Sequence, residues 1–191
     1  MKNSYAHHFL VAYPNLLDPN FFQSVVYLYE HNEEGAMGLV INKPLKMKLK
    51  EVFDHLEIQI EDEDLASRSV MMGGPIGQEH GFVLFKPEEE VLPRKMKKKP
   101  KIETDEVFLS SSKETLVTIA SGKGPSDFII TLGYAGWENG QLEEELQHND
   151  WLIAPFDPSI IFDTPVERRW RQAAALIGVD VDHLSGHTGH A

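Results

Sequence analysis

The chain has 191 residues, 30 acidic against 18 basic side chains for a net charge of −12, and no cysteine. That length predicts one domain with a core large enough to stand without covalent staples. The absence of cysteine excludes disulfides, thiolate nucleophiles, cysteine-ligated zinc and iron–sulfur clusters, and the acidic balance opposes nucleic acid and anionic membranes overall. The N-terminal apolar run is broken by Pro14 and Asp18, too early for a signal peptide, and no run reaches the roughly 20 residues of a membrane helix. A cytosolic protein is expected.

In chain order, 7–12 (HHFLVA) reads as a first strand, followed by the turn-rich YPNLLDPNF. The β-branched and aromatic SVVYLYEH, 24–31, and AMGLVIN, 36–42, read as a hairpin joined by NEEG. Lys43-Pro44 ends that strand, Pro44 forcing the chain out of the sheet. KLKEVFDHL, 48–56, places Leu49, Val52, Phe53 and Leu56 on one helical face. The acidic IEDEDLAS reads as a surface connection.

SVMMGG, 69–74, is a short strand stopped by Gly73, Gly74 and Pro75, and 80–86 (HGFVLFK) is another. Residues 87–106 lack apolar periodicity and predict a long, mobile loop. VFLS, 107–110, is a strand. SSSKETLVTIASG predicts a helix with a Ser111/Glu114 capping box and Gly122 as its stop. DFIITLGY is a central strand ending at Leu132, with Gly133 and Gly136 turning the chain into a helix over QLEEELQHN. At that corner Glu138 or Asn139 is the expected cap, and Trp137 packs on Leu142 as a hydrophobic staple. WLIAP is a strand. TPVERRWRQAAALIG predicts a last helix with Thr164 as N-cap, Pro165 at N1 and Glu167 at N3. Its stripe is Val166, Trp170, Ala174 and Ile177, with Arg168, Arg169 and Arg171 facing solvent. Strands and helices mix without a strict βαβ period, which predicts an α+β fold in a single domain spanning 1–191.

Candidate sites are sparse. GKGPSD, 122–127, lacks the spacing and following helix of a phosphate loop and reads as a helix stop and turn. Asn42, Gly73 and Gly74 end strands; with Gly133, Gly136 and Trp137 they outline a candidate ligand cleft, glycine allowing close backbone approach. The basic run 94–101 (RKMKKKPK) holds six of the 18 basic residues. Its Lys97, Lys98 and Lys99 are the candidates for nucleic-acid phosphates, without interleaved aromatics to stack bases. The tail 182–191 carries His183, His187 and His190, a weak candidate for a metal in a segment expected to be mobile. No G-x-S-x-G or H-E-x-x-H pattern is present, and no cofactor is expected.

Four separated blocks occur in order: HHFLVAYPNLLDPNFFQSVVYLYEHNEEGAMGLVINKP, GGPIGQEHGFVLF, LGYAGWENGQLEEEL with NDWLIAP, and IFDTPVERRW. Together they resemble the YqgE/AlgH family of bacterial proteins. The resemblance implies an α+β fold whose sheets bend into a pseudo-barrel with flanking helices, in a cytosolic protein. The family has carried the label of transcriptional regulator, but the resemblance brings no catalytic residues. The expected function is therefore a non-enzymatic binding or regulatory protein acting through a protein or small-molecule partner. An enzyme with a site at the glycine-rich strand ends, and direct nucleic-acid binding through 94–101, are the alternatives. The sequence does not set an oligomeric state.

Overall fold

The computed structural model describes residues 4–87 and 107–184. The strands are β1 (His8–Ala12), β2 (Val25–Asn32), β3 (Gly35–Val40), β4 (Pro44–Lys48), β5 (Ser69–Met72), β6 (Ile76–Phe85), β7 (Phe108–Ser110), β8 (Phe128–Glu138) and β9 (Trp151–Pro155). The helices are α1 (Leu49–His55), α2 (Glu63–Ser67), α3 (Lys113–Ala120), α4 (Gln141–Gln147), α5 (Pro158–Phe162), α6 (Arg169–Ala175) and α7 (Val181–Leu184).

The strands form one mixed sheet in the order β4-β5-β8-β3-β2-β1-β9, with β6 pairing β7 and β8 off that path. All pairs are antiparallel except β5 with β8. The α+β class is as expected. The sheet is not closed into a barrel: among the described residues its path runs open from β4 to β9.

The pattern of β1 shows why its run is unbroken in hydrophobicity. Phe9 and Val11 enter a core with Trp170, Ala173 and Ala174, while Leu10 and Ala12 enter another with Trp137, Leu142 and Trp151. A strand covered on both faces needs apolar residues at every position rather than at alternate ones. β2 splits in the same way, Val25 and Tyr27 to the first core, Val26 and Leu28 to the second. A third core lies under α1 and α3, where Leu49, Phe53, Leu116 and Ile119 meet Val70, Val83 and Ile130.

Several local expectations are corrected. Pro44 does not take the chain out of the sheet; it opens β4 opposite Met71. β4 lies at one end of the strand order, where a missing N–H costs no ladder bond. The acidic connection contains α2, capped by the Asp62 carboxylate accepting from the Leu65 N–H at 3.0 Å. β6 starts at Ile76, ahead of the expected residue 80. Ser112, not Ser111, caps α3 by accepting from the Thr115 N–H. The strand expected to stop at Leu132 runs on as β8 to Glu138, and α4 is capped by Gly140 at φ +82°. Gly133 and Gly136 thus lie inside a strand, and only Gly133 has a positive φ, +72°. The last helix starts as a 3-10 turn over Val166–Arg168, and Thr164 does not cap it: its hydroxyl donates back to the Ser159 carbonyl at 2.9 Å.

Candidate functional site

β8 is the strand both halves of the sheet share. It pairs with β5 up to Leu132, with β6 from Phe128 to Leu132 and again at Tyr134 after a register shift, and with β3 from Ala135 to Glu138. The exchange occurs at Gly133. A Cβ there would stand 2.5 Å from the Gly74 carbonyl oxygen and 2.8 Å from that of Ile76. A Cβ on Gly73 would stand 2.2 Å from the Gly133 carbonyl oxygen. These glycines pack backbone against backbone, so their close approach is to each other.

The same contact reaches the end of β3. The Val40 N–H donates to Gly73 O at 2.7 Å, and the Met72 N–H to Lys43 O at 2.7 Å. Asn42, Gly73, Gly74 and Gly133 therefore meet at one junction of β3, β5 and β8. Gly136 and Trp137 do not. They pair with Met37 and Ala36 further along β3. The Trp137 indole is committed elsewhere: its N–H donates to Glu145 Oε2 at 2.8 Å, as does that of Trp151, also at 2.8 Å. Gln141 donates to the other carboxylate oxygen at 2.9 Å. Trp137 and Leu142 share one core, but with Gly140 as the N-cap they are not the N′ and N4 positions of the expected staple.

Next to this crossing, at a second junction where β2, β3 and α6 meet, the β2–β3 ladder is opened by side chains. The Ile41 N–H donates to Val25 O at 2.9 Å, but the reciprocal bond is not made. The Val25 N–H donates instead to Asn42 Oδ1 at 2.8 Å, and Ile41 O accepts from Arg169 Nη1. Asn42 completes its grip by donating through Nδ2 to Gln23 O at 2.9 Å. Lys43 Nζ donates to the Phe22 carbonyl and stands 5.8 Å from the centre of its ring. Gln23, between them, is held at φ +51°, a conformation non-glycine residues rarely adopt.

Arg169 is the residue sequence reasoning missed. It was expected in solvent and is 6% exposed. The 3-10 turn before α6 has about three residues per turn instead of 3.6, which shifts the phase of the following helix and brings Arg169 inward beside Trp170. The Trp170 indole N–H donates to Ala12 O at 2.8 Å, tying α6 to β1. Arg169 Nε donates to Thr164 O at 3.1 Å. Burial pulls the guanidinium down to about 10, and the negative charge of Glu167 offsets part of that. Burial also lowers the Lys43 ammonium. Among the described residues neither cation has a carboxylate within ion-pair distance. The Ser24 hydroxyl is fully buried and has no hydrogen-bond partner among them; Thr131, which faces Gly73, is in the same state.

Lys97, Lys98, Lys99, His187 and His190 lie outside the described residues, as does nearly all of the 87–106 segment. His183 is described: its Nδ1, on α7, stands 2.5 Å from a carboxylate oxygen of Asp180, which directly precedes that helix. Among the described residues no group of three or more histidines and carboxylates is placed to hold a metal. No described helix is long and apolar enough to cross a membrane.

An open mixed sheet packed by helices on both faces, with a glycine-built crossing of its two halves, defines the class of α+β protein to which the chain belongs. The profile of the AlgH-like family matches residues 9–182, and the chain is a member of that family. A protein of Coxiella burnetii named only as UPF0301 is 49% identical, covering 99% of this chain and 98% of the relative. The YqgE protein of Salmonella newport is 44% identical, covering 97% and 98%. The solution structure of AlgH from Pseudomonas aeruginosa superposes with a TM-score of 0.76 at 43% identity, over 100% of this chain and 98% of that one. A crystal structure of a Corynebacterium diphtheriae protein shares the fold at a TM-score of 0.71 and 18% identity, over 97% and 93% of the two chains.

Proposed function

We propose that the chain is a non-enzymatic binding protein with a regulatory role, exercised through a partner, and that its ligand is recognised at the junction of β2, β3 and α6. The observation that carries this reading is Arg169: a buried guanidinium that interrupts a strand ladder and has no contacting carboxylate among the described residues. A buried charge without a counter-charge is costly, and such groups concentrate at sites that meet a ligand. The strained Gln23, whose carbonyl Asn42 holds, points the same way, because strain persists where surrounding structure holds a segment for use.

Hydrogen–deuterium exchange tests this reading. Incubation with a small-molecule and protein extract of a bacterial lysate should protect amides of residues 22–26, 40–44 and 164–172 more than the rest of the chain. The protecting compound should be recovered chemically unchanged. Protection confined to another region would refute the site, and recovery of a converted product would replace the binding role with an enzymatic one.

A further inference from the structure

The junction also indicates what kind of ligand it takes. Arg169 has five N–H donors. One goes to Ile41 O and one to Thr164 O. The remaining three have no partner among the described residues, on a side chain that is 6% exposed. Lys43 uses one of its three ammonium donors, on Phe22 O. Ser24 adds a buried hydroxyl with no partner among the described residues.

Hydrogen bonds to the backbone bring the segments that carry these groups together. The Ala12 N–H donates to Ser24 O at 2.9 Å while Ala12 O accepts from Trp170, the neighbour of Arg169. Lys43 is two residues from Ile41, whose carbonyl Arg169 grips. Phe22 and Gln23 are exposed and give the junction its solvent side. Two cations with donors to spare are the complement of an acceptor-only group carrying about two negative charges, which is a phosphate. In a chain of net charge −12 this local excess of positive charge opposes the field of the whole molecule.

We infer that the junction binds a phosphate-type oxyanion, either free phosphate or the phosphoryl group of a larger ligand, with Arg169 as the forked donor and Lys43 as the second cation. This rests on the binding role proposed above and adds the chemical class. Arginine's planar fork meets two phosphate oxygens at once, and the ammonium adds a point charge on the open side. The exposed Phe22 ring beside Lys43 offers an apolar surface to whatever the phosphoryl group is attached to.

Calorimetric titration of the full chain with inorganic phosphate, phenyl phosphate and acetate, at low and constant ionic strength, tests this. Saturable binding of one equivalent of phosphate or phenyl phosphate is expected, with acetate at least about tenfold weaker. Equal affinity for the two phosphates assigns the site to the free ion; phenyl phosphate binding about tenfold tighter or more assigns it to a larger phosphorylated ligand. Arg169→Lys keeps the charge and removes the fork, and should weaken binding at least about tenfold. Since Arg169 also supports the fold, Lys43→Met is the second variant; it should stay folded by circular dichroism and lose about tenfold. No saturable binding of either phosphate, acetate bound as tightly, or a folded Lys43→Met variant that binds as the parent does would each overturn the assignment. If phosphate fails while extract still protects the junction from exchange, the oxyanion falls and the binding role stands.

Discussion

The two ends of β3 treat buried polar groups in opposite ways. At the end where β3 meets Trp137, the polar groups are matched. Two indole N–H groups share one oxygen of Glu145, Gln141 takes the other, and Trp137 and Trp151 are 6% and 3% exposed. At the end where β3 meets Arg169, Arg169 and Lys43 donate only to backbone carbonyls, and no described carboxylate contacts either cation. The first arrangement fixes a helix to a sheet. The second is stable only to the extent that backbone carbonyls, solvent or a ligand meet the surplus donors. Buried polarity that is matched within the fold suggests no site; the unmatched Arg169 is what motivates the proposed one.

The sharpest way to break this picture is at the crossing that holds the junction in place. Gly133→Ala sets a side chain at φ +72° with backbone oxygens 2.5 and 2.8 Å from its Cβ, and neither oxygen is the end of a flexible side chain. It should cost about 3–5 kcal/mol, read as a large drop in the urea midpoint. Gly136→Ala is its control. That glycine has no positive φ, and its Cβ would meet the end of the partly exposed Ile76 side chain at 3.1 Å. A loss below about 1 kcal/mol is expected, and an equal loss at both positions would dismiss the crossing as the special feature.

Glu145→Ala probes the matched end. It leaves two nearly buried indole N–H groups without their acceptor and should cost about 2–4 kcal/mol by chemical denaturation, while phosphate binding at the far end is unchanged. Glu145→Gln, which keeps one acceptor oxygen, should fall between that variant and the parent. A neutral Glu145→Ala would show that the two indoles find water instead.

The smallest effect concerns pH. His7, at φ +60° with its Nδ1 2.9 Å from the Tyr27 hydroxyl, has its pKa lowered by burial and then by the charge of His8. The folded chain thus binds a proton there less readily than the unfolded chain does. Stability from this group is full above pH 6.5, the ordinary histidine value, and falls as pH drops from there through the lowered folded value. The melting temperature should decline between about pH 7 and pH 5, and less steeply in His7→Gln. Parallel slopes in the two proteins would remove His7 as the cause.

Much of the fold was legible because local signals and global packing agreed. The run HFLVA announced a first strand, the hairpin 24–42 was written in β-branched residues around NEEG, and the stripe Leu49, Val52, Phe53, Leu56 gave α1. Helix α5 was signalled but unread: Asp157 caps it by accepting from the Ser159 N–H at 2.9 Å, with Pro158 in its first turn. The stretch from Gly133 to Trp137 was misread as a corner because two glycines in five residues describe a turn and a strand crossing equally well.

By itself, then, the sequence determined the α+β class, the family, the order of most elements and the strand ends at Asn42, Gly73 and Gly74, since these depend on periodicity, turn chemistry and block order. Only tertiary structure decided that Gly133 joins those strand ends while Gly136 and Trp137 do not. It alone moved Arg169 from the surface to the interior, against the end of β3. The reason is physical in both cases. A glycine's role depends on which backbone lies opposite it, and an arginine's exposure depends on the rotational phase of its helix, here changed by one 3-10 turn.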